Sequence, residues 1–291
     1  MLVTGGHTEI VLTRGVGLHT VMGITVDIAI GNFLDRCAKE IAPTLRAALE
    51  GEAAAAEFVA WHNAGHADDP MPADYFDDLL TDRAVHGGQL IEKLARYGNP
   101  ATFTLPIPKV ADVSANLSYT GLHTAVQRLL FQMEQGGRGL SQYEKIRQEY
   151  SLEQVCDLCA SIQFAAFFQV QRKVASVLNY LKRKQINITC VNLVGGVSCN
   201  LELQYMIRVL AKEYNHEVNA CPADLCTDNA AMIAWMGWEL KNALQDVDIR
   251  NIRTDGHRSI PLGSYVRDHM IVKTGLKKAH DAVRRQVQAE G

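Results

Sequence analysis

Apolar and polar positions in the second half of the chain alternate between two periods. From Val155 to Leu178 the apolar residues recur at helical spacing, after a Ser151-Leu152-Glu153-Gln154 segment that has the form of a capping box. The continuous apolar run Ile188–Val194 predicts a strand of a sheet covered on both faces. A helix over 201–214, a strand over 217–220 and a helix over 230–240 are predicted next. This alternation indicates an α/β fold.

The first half predicts short strands followed by helices. Three strands are expected at Leu2-Val3, Glu9–Arg14 and Leu18–Met22. Helices are then expected over Ile28–Ile41, Leu45–Trp61 and Leu90–Tyr97. The Ala-rich helix and the Gly, Pro and Asp residues after it differ in texture from their surroundings, which favours an insertion. We therefore divide the chain into a β-meander and helix over 1–42, an insertion over 43–85, a helical subdomain over 86–185 and a C-terminal α/β part over 186–291.

Composition excludes several classes of protein. Of 291 residues, 47% are hydrophobic and 21% are charged, which is typical of a globular protein and excludes a disordered chain. The net charge of −3 shows no basic excess, so binding to nucleic acid has to depend on a local patch. No apolar stretch reaches the roughly 18 residues that a membrane-spanning helix needs, and we expect no membrane partner.

Three polar or glycine-bearing turns suggest a ligand site. Thr4-Gly5-Gly6 lies between two predicted strands, and Gly195-Gly196 opens a predicted helix after a strand. Free N–H groups at such a helix start favour a phosphate, while Asp228 at another helix start offers oxygen ligands to a metal. Each feature alone has a simpler interpretation as a tight turn or a helix cap. Together they predict a cleft for a phosphorylated ligand.

The seven cysteines offer weaker chemistry. Their odd number and apolar surroundings predict reduced, buried thiols. Cys156 and Cys159 form a single CxxC inside the long predicted helix, where buried thiols are favoured over a zinc or redox site.

Several segments, in the right order, resemble motifs of one family, the universal tRNA N6-threonylcarbamoyladenosine transferases, formerly labelled O-sialoglycoprotein endopeptidases. Leu2–Thr8 resembles its S-G-G-H-T segment, and Gly23–Arg36 its G-x-x-(L/I)-D-x-A-x-G segment. Gly87–Leu94 resembles G-G-x-x-I-E-x-L, and Leu117–Leu122 resembles F-S-F-(S/T)-G-L. The remaining matches are Gly195–Asn200 to G-G-V-(A/S)-x-N, Leu225–Ala234 to (L/Y)-C-T-D-N-x-x-M-I-A, and Pro261–Gly263 to the terminal P-L-G.

The resemblance implies an actin- and sugar-kinase-like fold, here mainly its C-terminal lobe with a helical insertion. It also implies an acyltransferase that moves threonylcarbamoyl from threonylcarbamoyl-AMP to N6 of the anticodon-adjacent adenosine in tRNAs reading ANN codons. The implied partners are tRNA, threonylcarbamoyl-AMP and a second copy in a homodimer. The Asp27-Ile28-Ala29 form is closer to the mitochondrial branch, which implies a mitochondrial location, with the cytoplasm as the alternative.

Site residues carry over from the matched motifs. The phosphate region of the acyl-adenylate is expected at Leu2, Val3, Thr4, Gly5 and Gly6. The ribose and adenine are expected at Asp35, Gly88, Glu92 and Asn200, in one adenosine pocket. One divalent ion, with Fe, Zn and Mg all open, is expected at Asp228. No catalytic side chain is assigned.

One family feature is expected upstream of this sequence. The family has a helical H-x-x-x-H just before the S-G-G-H-T segment, and its two histidines complete the metal site. His62 and His66 repeat that spacing, but they lie in the predicted insertion and read better as surface histidines. We therefore expect this chain alone to be nearly inactive. The alternative function is a non-catalytic relative that keeps the nucleotide pocket and acts as a binding or scaffolding protein.

Overall fold

The computed structural model describes residues 1–15, 18–50, 54–65, 69–76, 79, 87–109, 114–135, 143–226 and 230–243. The chain divides into two compact units. Unit 1 comprises Met1–Val26, Ala111–Leu117 and Arg172–Gly291, and unit 2 comprises Asp27–Val110 and Ser118–Gln171. Each unit is made of segments that alternate along the chain, whereas the four segments predicted from the sequence are consecutive. The division into those four segments stays a prediction.

The chain is α/β, with helices and three small sheets in the described part. In chain order the elements are β1 (Leu2–Val3), β2 (Thr8–Gly15), β3 (Leu18–Ile24), α1 (Ile30–Ala48), α2 (Ala54–Gly65), α3 (Gly87–Ala95), α4 (Thr120–Leu130), β4 (Phe131–Gln135), β5 (Tyr143–Arg147), α5 (Leu152–Arg183), β6 (Cys190–Leu193), α6 (Leu201–Glu213), β7 (Glu217–Ala220) and α7 (Ala230–Ala243). Within these ranges, no helix combines the length and the apolar character needed to cross a membrane.

Unit 1 begins with the predicted meander. Strands β1, β2 and β3 are antiparallel in that order, with Glu9 paired to Leu2 on one side and to Ile24 on the other. The sheet continues beyond β3, because Thr25 forms a parallel bridge with Leu117. The strands predicted at the start of the chain are therefore confirmed, with ends extended by one or two residues.

The second sheet of unit 1 pairs β6 and β7 in parallel, from Cys190 opposite Glu217 to Leu193 opposite Ala220. The prediction that this strand is buried on both faces is wrong. Within β6 only Leu193 is buried, and Asn192 is exposed. Among the described residues β6 has one full strand partner and a single bridge to β1 at Val194, and α6 packs against β7. So small a sheet buries few positions.

Helix α1 of unit 2 extends beyond its predicted end. Its apolar face, including Phe33, Ile41 and Leu45, is fully buried, and the helix continues through Pro43 to Ala48. The helix predicted over 45–61 is wrong as one element, because its first residues belong to α1 and the rest to α2. Gly51 lies between the two helices in sequence, and glycine is a poor helix former.

A β-hairpin in unit 2 interrupts the predicted helical subdomain. Strands β4 and β5 are antiparallel, with Phe131 opposite Arg147. The Arg147 guanidinium stacks on the Phe131 ring at 4.6 Å and donates to the Glu40 carbonyl and the Thr44 hydroxyl of α1. The hairpin is therefore tied to α1 through one arginine, a long-range contact that no local pattern predicts.

The predicted capping box at the start of α5 is confirmed. The Ser151 N–H donates to Gln154 Oε1 at 2.9 Å, and the Gln154 N–H donates to Ser151 Oγ at 3.2 Å. The helix runs for 32 residues to Arg183, and Gln185 follows with a left-handed φ of 57°. Its N-terminal part belongs to unit 2 and its C-terminal part to unit 1.

The Asp27 carboxylate clamps the start of α4 in unit 2. It accepts hydrogen bonds from the Ser118 hydroxyl at 2.5 Å and from the N–H groups of Ile28, Tyr119 and Thr120 at 2.7, 2.9 and 3.3 Å. Burial raises the pKa of Asp27, but these four hydrogen bonds, led by that of Ser118, outweigh it and lower the pKa below 3.8. Asp27 is not among the residues that the sequence predicts to bind a ligand or a metal.

Candidate functional site

A tight turn joins β1 to β2 in unit 1. The Thr4 N–H donates to the His7 carbonyl at 2.8 Å, and Thr4 Oγ1 accepts from the N–H groups of His7 at 2.8 Å and Gly6 at 3.2 Å. The Thr4 hydroxyl therefore occupies two N–H groups of its own turn, which are not free to bind a ligand. The turn is preorganised by its first side chain.

The Gly195 backbone meets this turn at close range. Val3 N–H donates to the Val194 carbonyl at 2.8 Å, which aligns β1 with the end of β6. Gly195 has φ +100°, and a Cβ added there would lie 2.5 Å from both the Val3 carbonyl oxygen and Thr4 Cγ2. Only glycine fits both the conformation and the space. The structure thus brings together the Leu2–Gly6 segment and the Gly195-Gly196 pair.

Open space surrounds the other glycines of this region. A Cβ added at Gly5, Gly6 or Gly196 would meet nothing within 4 Å. Backbone without side chains is therefore accessible on both sides of the Thr4–Gly195 contact. Such a surface lets a ligand approach main-chain atoms directly, which is the usual role of glycine beside phosphates.

Asn200 ends the turn Gly196–Cys199 and is the cap of α6. Its Oδ1 accepts from the N–H groups of Glu202 and Leu203, both at 3.1 Å, and the side chain is buried. The resemblance places Asn200 against an adenosine, whereas the geometry gives its side-chain oxygen a structural task. Asn200 belongs to unit 1.

Three other predicted adenosine residues belong to unit 2. Asp35 Oδ1 of α1 accepts from the Gly88 N–H of α3 at 3.1 Å, and Asp35 is only partly exposed. A Cβ at Gly87 would lie 2.7 Å from the Asp35 Cα and Oδ1 atoms, while one at Gly88 would meet nothing. Glu92 follows Gly88 by one helical turn and lies on the same side of α3. The structure therefore groups Asp35, Gly88 and Glu92, and a pocket that also includes Asn200 stays a prediction.

Metal binding has no support among the residues that can be described. Asp228 lies outside the described residues, as does His66. In the described ranges, no three His, Cys, Asp or Glu side chains converge in a way that could hold an ion. His62 is wrongly predicted as a surface residue, because it is 5% exposed and contacts the rings of Phe58 and Tyr97. Its role is in an aromatic cluster.

The CxxC cysteines are buried and unreactive. Cys156 and Cys159 are fully buried on α5, with Cys37 close by on α1. Burial, with smaller contributions from Asp157 and Glu153, raises the pKa of Cys156 to about 12, and burial raises the pKa of Cys159 well above its usual value. Both thiols therefore stay protonated at neutral pH, which suits neither zinc binding nor nucleophilic chemistry.

A different pair of thiols lies beside the glycine turn and was missed in the sequence. Cys226 is 8% exposed, and its sulfur lies 3.5 Å from Ser198 Oγ, within the turn Gly196–Cys199. The Cys226 thiol also donates to the Cys221 carbonyl at 3.4 Å. Burial first, and then the Cys226 thiol and Asp224, raise the pKa of Cys221. The spacing C-x-x-x-x-C was the available signal.

Comparison with known proteins identifies the group to which these motifs belong. Residues 1–235 match a family profile described as TsaD: tRNA N6-adenosine threonylcarbamoyltransferase. A protein with that enzyme name from Sinorhizobium medicae (strain WSM419) is 31% identical over 241 residues, covering 82% of this chain and 52% of the relative. A protein with the same enzyme name from Orientia tsutsugamushi (strain Boryong) is 31% identical over 252 residues, covering 84% of this chain and 57% of the relative.

A third relative of the same name, from Brucella anthropi, is 30% identical over 241 residues, covering 82% of this chain and 52% of its own length. The chain thus spans about half the length of the curated relatives it matches. The matched range contains every motif quoted above except Pro261–Gly263. The resemblance is therefore confirmed, and the chain belongs to the TsaD family, the tRNA N6-adenosine threonylcarbamoyltransferases.

Proposed function

We propose that this chain is the part of a tRNA N6-adenosine threonylcarbamoyltransferase that holds the activated acyl donor, threonylcarbamoyl-AMP. The whole protein would transfer the threonylcarbamoyl group to N6 of the anticodon-adjacent adenosine in tRNAs reading ANN codons. One observation carries the proposal. The Thr4–His7 turn lies against Gly195, with open glycine backbone on both sides of the contact.

The donor phosphate is assigned to the segment Leu2–Gly6. Thr4 Oγ1 fixes the turn through the N–H groups of Gly6 and His7, so the loop needs little reorganisation when a ligand binds. The open positions at Gly5 and Gly196 would let phosphate oxygens approach the main chain. These residues bind and orient the donor; none of them exchanges a proton in the proposal.

The ribose is assigned to the group in unit 2. A carboxylate is suited to ribose hydroxyls, and Asp35 and Glu92 supply two. The hydrogen bond from the Gly88 N–H holds the Asp35 carboxylate in place at the start of α3. The absence of a side chain at Gly88 leaves room for the sugar next to that carboxylate.

The finer parts of the proposal rest on the resemblance. They are an actin- and sugar-kinase-like arrangement, a divalent ion at Asp228, a homodimer, and a mitochondrial location. The described residues form no ligand group for the ion, so it enters none of the steps proposed for them.

The test is donor binding. Calorimetry with AMP should show binding to the wild-type chain and an affinity at least roughly tenfold weaker, about 1.4 kcal/mol, in Gly196→Ala, because the new methyl group occupies the approach to the backbone. Gly65→Ala is the matched control, since Gly65 is equally open and lies at the end of α2, outside the segments to which the donor is assigned. Equal affinities in all three proteins would contradict the proposed site.

A second assay separates binding from transfer. With tRNA and threonylcarbamoyl-AMP, we expect little turnover from this chain and turnover from a longer polypeptide that carries the upstream H-x-x-x-H. Robust turnover by the chain as it stands would contradict the need for that segment. Donor binding without transfer by either polypeptide would instead favour the non-catalytic, nucleotide-binding function.

A further inference from the structure

We infer that Cys221 and Cys226 form a reversible disulfide, a modification site for oxidants of the glutathione disulfide class, next to the turn Gly196–Cys199. Three observations carry the inference: the Cys226 thiol contacts the Cys221 carbonyl, Cys221 is partly exposed, and the buried Cys226 contacts Ser198. The inference does not depend on the proposed transfer activity.

The first observation is proximity. The Cys226 thiol donates to the Cys221 carbonyl at 3.4 Å, so the Cys226 sulfur lies against the backbone of Cys221. The intervening residues Ala223–Leu225 form a short helical turn that folds the two cysteines back toward each other. Bringing the two sulfurs to bond length requires movement within this one short loop.

The second observation is asymmetry in exposure. Cys221 is partly exposed at the end of β7, whereas Cys226 is buried. An oxidant in solution therefore reaches Cys221 first, and Cys226 is positioned as the resolving thiol. The other cysteine contacts differ, because Cys156 and Cys159 are both fully buried in a helix and have no accessible member.

The chemistry balances with one named oxidant. The Cys221 sulfur attacks one sulfur of glutathione disulfide, forming a mixed disulfide and releasing one glutathione thiol. The Cys226 sulfur then attacks the Cys221 sulfur of that mixed disulfide, forming the Cys221–Cys226 bond and releasing the second glutathione. Two cysteine thiols are oxidised, one glutathione disulfide is reduced, and the two cysteine protons end on the two released thiols.

The third observation gives the modification a consequence. Cys226 Sγ lies 3.5 Å from Ser198 Oγ, and formation of the disulfide moves that sulfur toward Cys221 and away from this contact. Ser198 is fully buried, and its N–H closes the turn by donating to the Gly195 carbonyl at 2.9 Å. Oxidation therefore weakens the contact that holds Ser198 beneath the glycine pair.

The test equilibrates the full chain in buffers of glutathione and glutathione disulfide, because protonated thiols exchange slowly and equilibrium removes the rate from the comparison. After quenching with an alkylating reagent, peptide mass spectrometry should find Cys221 linked to Cys226, and dithiothreitol should reverse the link. Cys221→Ser should abolish the link. Cys190→Ser, which removes another partly exposed cysteine at the start of β6, should leave it intact.

A second measurement tests the predicted effect of oxidation on Ser198, and it does not require a substitution at a buried residue. Hydrogen exchange at the Ser198 amide should be about fivefold faster in the oxidised protein, the factor that one lost hydrogen bond of ordinary strength produces. Oxidised Cys221→Ser should exchange as the reduced wild type does. A link between any other pair of cysteines, or no link in oxidising buffer, would overturn the inference, and neither measurement uses AMP or tRNA.

Discussion

Two glycine pairs, Gly87-Gly88 in unit 2 and Gly195-Gly196 in unit 1, divide their roles in the same way. In each pair another part of the chain passes too close to the first glycine for a side chain to fit, while the second glycine faces open space. The pairs differ in backbone conformation, because Gly195 has φ +100° and Gly87 begins a regular helix. A sequence motif contains no difference between the two glycines of a pair. The structure shows that the first glycine allows close packing of another chain segment, while the second leaves its backbone open to a ligand.

The largest effect is expected at the first glycine of unit 1. Gly195→Ala should destabilise the protein by roughly 3 kcal/mol or more, because alanine is strained at this φ and its Cβ would overlap the Val3 carbonyl. Urea unfolding followed by circular dichroism measures the loss. Gly196→Ala is the control and should unfold at nearly the wild-type urea concentration. Similar losses in the two variants would contradict the division of roles.

The corresponding glycine of unit 2 should show a smaller loss. Gly87→Ala brings a Cβ within 2.7 Å of Asp35, but the backbone stays in a conformation that alanine adopts readily. Overlap costs and helix propensity together predict a destabilisation of roughly 1 to 2 kcal/mol. The same unfolding assay applies. A loss as large as that of Gly195→Ala would mean that backbone conformation is not what distinguishes the pairs.

Asn200 tests whether a capping residue next to a glycine pair also binds the ligand. Asn200→Ala should cost about 1 kcal/mol of stability through loss of the α6 cap, while Asn200→Ser retains an acceptor and should be close to wild type. Because the serine variant keeps the cap, a change in its AMP affinity measures the contribution of the Asn200 side-chain amide to ligand binding. Wild-type affinity in Asn200→Ser would remove Asn200 from the adenosine site.

The smallest change in stability is expected at the second glycine of unit 2. Gly88→Ala should be neutral or stabilising by roughly 0.5 kcal/mol, because a new Cβ meets nothing and alanine favours the helix. AMP affinity should nevertheless fall about tenfold if the ligand approaches this backbone. Unchanged affinity in a variant with intact stability would show that the open position at Gly88 serves no adenylate.

Local patterns predicted most of the elements. The capping box of Ser151 and Gln154, the first three strands and the parallel strand–helix arrangement near the C-terminus all depend on residues close together in sequence, and the structure contains them. The hairpin Phe131–Arg147 was missed because its anchor, Arg147, binds Glu40 and Thr44, more than 100 residues away in the chain. Contacts at such separations leave no periodic signal.

The sequence predicted which residues belong to the candidate site better than it predicted their contacts. The family motifs include Thr4, Gly195 and Asn200. They do not indicate that the Thr4 hydroxyl binds its own turn or that Asn200 caps α6. It also predicted His62 to lie on the surface, because one histidine spacing contains no information about the rings of Phe58 and Tyr97. Such roles depend on what the fold places around a residue.

The clamp at Asp27 couples the start of α4 to proton uptake. Since its pKa in the folded protein is lowered below 3.8, its contribution to stability is complete above the pKa of the unfolded chain and is lost as the pH falls through the folded value. Acidification therefore releases the N–H groups of Tyr119 and Thr120 together. The free energy of unfolding, measured as the pH is lowered from about 5 to well below 3.8, should show this loss in the wild type and a flatter profile in Asp27→Asn, whose side chain cannot take up the proton.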